Sequence, residues 1–163
     1  ARQAFGLTPG HLGWANLFLV VPAVFAATSL GEWGLDHLAE RMRLTNHWTE
    51  WFDPDLVWGS GPMFLMSLIE YVVLAPILEE FTFRGLLFAT LRRRVGPFWA
   101  AAISSILFAA AHGYGLLGFA SVFWSGLLWA WAYEKSGSLL PGIIAHALNN
   151  LTVCTGLVML LRS

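Results

Sequence analysis

The sequence predicts an all-α fold, a polytopic membrane helix bundle with about five transmembrane helices and a polar, partly amphipathic connector. Three observations predict it. Of 163 residues, 57% are hydrophobic and only 12% charged, well below the roughly 25% charged residues of an ordinary soluble domain. The apolar residues fall in runs close to the roughly 20 that a helix needs to cross a hydrocarbon core about 30 Å thick. Tryptophans, tyrosines and arginines cluster at the ends of those runs, where such side chains anchor a span to the membrane interface.

The first run is about 11–30, HLGWANLFLVVPAVFAATSL. A polar stretch over 31–60 follows, with Glu32, Asp36, Glu40, Glu50, Asp53 and Asp55 set against Arg41 and Arg43. Its Trp and His content suits a short amphipathic helix lying on the interface. The second run begins near Gly61-Pro62 and reaches Arg92-Arg93-Arg94, long enough to tilt or bend, with Pro76 as the bend point. The third, about 97–112, opens on Pro97 at a helix start and ends at AAAHG. The fourth, about 116–133, ends among Trp129, Trp131 and Tyr133, and a turn at Glu134-Lys135-Ser136-Gly137 leads into the fifth, about 139–161, which closes with Arg162. No repeat or linker divides the chain, so 1–163 reads as a single transmembrane domain. Arg2, Arg92 to Arg94 and Lys135 assign their ends to the cytoplasmic side and leave the acidic connector facing outward. The chain begins at Ala1 with neither an initiator Met nor a cleavable signal pattern, so it reads as a trimmed product or a fragment whose first run is a true span.

Composition excludes several classes. A net charge of -1 and one short basic run give nucleic acid no electrostatic purchase. The single cysteine, Cys154, rules out disulfides within the chain and thiolate metal clusters, and it sits in an apolar run as a small hydrophobe.

The polar residues inside the runs demand an explanation, because a charge in a span costs several kcal/mol unless it is paired or faces a wet cavity. The second run holds Glu70, Glu79, Glu80 and Arg84. At about 100° per residue, Glu80 and Arg84 share one face with the acid N-terminal to the base, the better order for an ion pair. That pair is either a support for chemistry or simply a buried bridge that holds the helix. Glu79 lies about 100° off that face and needs a partner from another helix, while Glu70 falls about 180° from Glu79, toward another contact or the membrane edge. The third run stacks Phe108 over His112 and the fifth stacks His146 over Asn150, with Asn149 off that face. His11, His37 and His47 sit at a span end or in the connector, where a solvated ring accounts for them.

Two histidines and an unpaired carboxylate on three different spans point to a shared site. A carboxyl in a poorly solvated site can take a proton from water, so Glu79 reads as general base and then acid. His112 would hold the water or an oxyanion, and His146 with Asn150 would polarise a carbonyl. Glu79, His112 and His146 can equally furnish three zinc ligands with a fourth position open, although no His-Glu-x-x-His signature is present. No Ser-His-Asp order or Gly-x-Ser-x-Gly elbow occurs, which disfavours a nucleophilic mechanism.

Three motifs now stand in order: EEFTFR as Glu79-Glu80-x-x-x-Arg84, FAAAH as Phe108-x-x-x-His112, and HALNN as His146-x-x-x-Asn150. Together they resemble the CPBP family, the CAAX protease and bacteriocin-processing intramembrane endopeptidases related to the type II CAAX prenyl endopeptidase. The resemblance covers about 79–150 and implies that Glu79 activates the hydrolytic water, that Glu80 and Arg84 support it, and that His112, His146 and Asn150 complete the site. It implies a catalytic core over about 61–161 and a metal-free glutamate mechanism. It further implies a membrane-anchored or lipidated protein or peptide as substrate, processed at a C-terminal tail or leader in contact with membrane lipid. The implied location is the cell membrane, multi-pass, of bacterial or archaeal inner-membrane type. By size the chain looks like a reduced core with few extra spans. The alternatives are a zinc-dependent version of the same protease and a non-catalytic membrane scaffold or immunity protein. A proton relay through Glu70, Glu79 and Glu80 has the lack of inverted repeats against it.

Overall fold

A computed structural model of the chain describes residues 8, 10–44 and 53–162. Arg2, His47 and Glu50 lie outside the described residues. Helix α1, Gly13–Met42, runs for 30 residues and buries Leu17, Val21, Val24 and Thr28. That three- and four-residue spacing is a single helical stripe. The reading of 31–60 as a connector is corrected here, because the helix does not stop at residue 30. Gly31 and Gly34 weaken a helix without breaking it, and no proline intervenes until the chain turns at Arg43, with φ 55°.

After a short helix, α2 (Pro54–Trp58), the second run forms one continuous helix over Gly61–Val95, 35 residues long. Two stretches within it are π-helical, Glu70–Leu74 and Phe81–Phe88, and they flank Ala75–Glu80. We label its α-helical parts α3 (Gly61–Ile69), α4 (Ala75–Glu80) and α5 (Ala89–Val95). In the first π stretch the N–H of Ala75 donates to the carbonyl of Glu70, five residues back. Gly96, at φ 81°, reverses the chain, and Pro97 opens α6 (Pro97–Ala111). Helix α7 (Leu116–Ser136) ends at Gly137 in the left-handed conformation, and α8 (Leu140–Arg162) begins where the Ser138 hydroxyl accepts from the N–H of Leu140.

α7 lies between α6 and α1, and α8 packs on α1, α7, α4 and the Glu70–Leu74 stretch. The α6–α7 seam includes small buried residues, with Ser105 against Gly126 and Ala100 against Ala130. A Cβ at Gly126 would come within 3.0 Å of both Ser105 and Arg84. Small residues let helix backbones approach where lipid offers no hydrophobic drive to association. At one end of the bundle, Arg92 pairs with Glu134 at 2.8 Å, and Gly10 abuts Ser136. At the other, Arg162 donates to the Val57 carbonyl at 2.6 Å.

The polarity is inverted relative to a soluble domain. Phe18, Leu116, Phe98 and Met66 are all more than two-thirds exposed, while Arg84 and Glu80 are sealed at 0% and 1%. An apolar exterior around a polar interior is what a lipid solvent requires, and the molecule is an all-α polytopic membrane bundle. Among the described residues, four helices are long and apolar enough to cross a membrane: Gly13–Met42, Gly61–Val95, Leu116–Ser136 and Leu140–Arg162. The fifth expected span, α6, has 15 residues. At 1.5 Å per residue it covers about 22 Å, short of a core about 30 Å thick. Its C-terminal end, His112, therefore stops inside the span of its neighbours.

Candidate active site

The site starts from a buried cation. Arg84 Nη1 donates to Glu80 Oε1 at 2.8 Å, one helical turn away, and Nη2 donates to the Gly126 carbonyl on α7 at 3.0 Å. The guanidinium carbon stands 4.4 Å above the Phe108 ring, so a ring face covers what hydrogen bonds do not. Bare backbone makes room for the partner: a Cβ at Gly142 would lie 2.8 Å from Glu80 Oε2. A fully desolvated ion pair needs its remaining bonds met; the Gly126 carbonyl and the Phe108 ring face serve the guanidinium here, while Arg84 Nε is buried without a hydrogen-bond partner.

His146, from α8, is 2% exposed and lies between the two glutamates. Its Nδ1 is 3.3 Å from Glu80 Oε1, within electrostatic reach but off the line of a hydrogen bond, and its Nε2 is 3.7 Å from Glu79 Oε2. The ring is clamped flat against Trp129, with centroids 4.0 Å apart and planes 20° apart. His112 caps α6, and its Nδ1 lies 2.9 Å from the Phe108 carbonyl. A carbonyl only accepts, so Nδ1 carries the proton, and in the neutral ring Nε2 is left as an acceptor. That Nε2 is 4.0 Å from Glu79 Oε2.

The structure thus brings Glu79, Glu80, Arg84, His112 and His146 together. Glu79 Oε2 is buried without a hydrogen-bond partner, between two imidazoles at distances longer than a direct bond. Such spacing suits one bridging water. Glu79 is met from other helices, and His146 reaches both it and Glu80.

Asn150 takes a different partner from the one expected. Its Nδ2 donates to the Tyr71 carbonyl at 2.8 Å. In the π register that carbonyl would be met by the N–H of residue 76, and Pro76 has none. The amide of α8 fills the gap. Glu70, in the same stretch, is exposed and apart from the site. Among the other histidines, His37 is exposed and lies tilted against Trp33, with ring centroids 4.3 Å apart, and His11 is exposed beside Gly137.

A cavity of about 200 Å³ opens beside the two rings. His112, His146 and Asn150 line it from one side and Glu32 and Asp36 from α1. Glu79 is not among its walls but lies against the rings that are. Tyr114, in the turn between α6 and α7, also lines it; burial pushes its hydroxyl pKa up, with the Glu79 charge adding to the effect, so it stays a hydrogen-bond donor.

Glu32 is the residue that sequence reasoning missed. Its Oε1 accepts from Ser125 Oγ at 2.9 Å and from Asn149 Nδ2 at 3.2 Å. The signal was present: the buried stripe Leu17, Val21, Val24, Thr28 projects, four residues at a time, onto Glu32 and Asp36.

The donor types of Glu79, His112 and His146 suit zinc, but their spacing does not. Ligands of a tetrahedral site with bonds of about 2.0–2.1 Å sit about 3.3 Å apart, whereas the separations are 3.7 and 4.0 Å. No group of three His, Cys, Asp or Glu among the described residues has metal-site spacing.

Residues 61–152 match the family model described as type II CAAX prenyl endopeptidase Rce1-like. An uncharacterized 24.3 kDa protein of Escherichia coli is 37% identical over 91 residues, covering 53% of this chain and 42% of that protein. The chain thus spans less than half the length of that curated relative. No solved structure matches it.

Proposed function

Because the chain belongs to the Rce1-like family of type II CAAX prenyl endopeptidases, we propose that it is an intramembrane endopeptidase that hydrolyses a peptide bond of a membrane-anchored or lipidated substrate, with Glu79 activating the water. The observation behind this is the convergence of Glu79 Oε2 with the Nε2 atoms of His112 and His146, from three separate helices, at 4.0 and 3.7 Å respectively.

In the proposed reaction a water bridges these groups, donating one hydrogen to Glu79 and the other to the acceptor nitrogen of His112. Its oxygen attacks the scissile carbonyl carbon while Glu79 takes the proton. With a proton on Nε2, His146 donates to the carbonyl oxygen as charge develops there, and the second amide hydrogen of Asn150 adds a further donor from the cavity wall. The C–N bond then breaks, and Glu79 returns its proton to the leaving amine. Glu80 and Arg84 act through position: neutralising each other, they hold Glu80 beside Nδ1 of His146 without adding net charge. Trp129 keeps the ring from rotating. No step passes through a metal.

The test is Glu79→Gln, which preserves shape and removes the base. We expect kcat/KM on an internally quenched farnesylated CAAX peptide to fall about 10²- to 10⁴-fold, with an unchanged melting temperature. A folded variant that cleaves at the wild-type rate rejects the reading. One tightly bound zinc per purified chain, whose removal abolishes cleavage, would replace the metal-free step with a metal-dependent one.

A further inference from the structure

The cavity has two chemically different ends. One is formed by His112 and His146, the rings against which Glu79 lies; the other is acidic and comes from α1, which lies outside the matched residues 61–152. Glu32 and Asp36 supply its charged walls, and among the described residues no Lys or Arg lines it. Arg84 does not balance Glu32, because it is fully buried and engaged by Glu80 and Gly126. Ser125 and Asn149 both bind Oε1 of Glu32, fixing the side chain in the wall. Independently, Trp129, which also lines the cavity and is 2% exposed, keeps its indole N–H without a hydrogen-bond partner. A buried donor left unmet costs about 1–3 kcal/mol, so a carbonyl-bearing occupant gains by reaching it.

We propose that this cavity is a substrate subsite that takes a lysine or arginine side chain next to the scissile bond, with Glu32 as the specificity-determining carboxylate. The inference rests on the protease reading above and adds a substrate class to it. The occupant is a peptide segment whose backbone carbonyl accepts from the Trp129 indole while its cation faces Glu32. The volume, about 200 Å³, is many times the ~10–15 Å³ that a single water needs, room for one long side chain. A cation in a site with acidic walls and little water is held strongly, and a second carboxylate there is repelled.

The experiment uses the full chain in proteoliposomes and a set of internally quenched farnesylated peptides. In the set, Lys, Gln or Glu is walked through the three residues on each side of the cleaved bond. At one position we expect Lys to be cleaved about tenfold or more faster than Glu, mainly through KM. Glu32→Gln, isosteric and able to keep its bonds to Ser125 and Asn149, collapses that ratio toward one, and Glu32→Lys inverts it. Equal cleavage of Lys and Glu peptides at every position overturns the inference and leaves the protease reading standing. So does a Glu32→Gln protein that retains the wild-type preference. Failure of the folded wild type to cleave any peptide overturns both. Binding of the Lys and Glu peptides to the Glu79→Gln protein, read by fluorescence polarisation, shows the same preference without turnover, and equal affinities there count against the subsite.

Discussion

At the scale of single residues, three charges within six positions of one helix divide into two kinds. Glu80 and Arg84 pair at 2.8 Å in a fully buried setting, whereas the buried oxygen of Glu79 has no hydrogen-bond partner and stands 4.0 and 3.7 Å from the imidazoles of His112 and His146. The pair and the lone carboxylate should therefore fail differently. Arg84→Met leaves Glu80 as an uncompensated buried charge, and breaking such a pair from one side costs about 3–5 kcal/mol. We expect a clearly lowered melting temperature, partly restored when Glu80→Gln is added, because the two then leave no net charge behind. An Arg84→Met protein as stable as wild type but inactive would move Arg84 from support into chemistry. The ion pair was legible in the sequence because four-residue spacing is a local property of a helix. The surroundings of Glu79 were not, since both rings arrive from helices more than 25 residues further along the chain.

At the scale of elements, irregularity in the second helix decides what the neighbouring helices must supply. A π stretch shifts the phase of all that follows it and is often found at functional sites. Here two such stretches bracket Ala75–Glu80; Glu79 and Glu80 themselves stand in regular α-helix, and His146 reaches both of them from α8. Pro76 adds a second consequence, a Tyr71 carbonyl that Asn150 satisfies. Asn150→Ala should cost about 1–3 kcal/mol by orphaning that carbonyl. In a Pro76→Ala background the new N–H offers the carbonyl an alternative, so the cost of Asn150→Ala should shrink. A double-mutant cycle on chemical denaturation reads the coupling, and strictly additive effects would refute this account of Asn150. A proline is visible in a sequence; which distant amide answers the carbonyl it strands is not.

At the scale of the whole molecule, the ends of the bundle are chemically distinct. Arg92 to Arg94, Glu134 and Lys135 gather at one end, and Arg43, α2 and Arg162 lie at the other. The basic run favours the first end as cytoplasmic. In a Cys154→Ala background, Lys135→Cys should resist a membrane-impermeant maleimide in intact cells and Arg43→Cys should react. The reverse labelling would invert the orientation.

The fold class followed from hydropathy and length alone, because lipid imposes a demand that every span meets in its own sequence: about 20 apolar residues with their backbone bonds closed internally. The Glu80–Arg84 pair followed from helical geometry for the same reason. Tertiary structure decided the rest. It extended α1 past a stretch that reads as aqueous, because Ser125 and Asn149 on two other helices receive the Glu32 carboxylate. It also turned three scattered motifs into one set of facing groups. Contacts between segments far apart in the chain depend on which faces pack together, and no local periodicity carries that information.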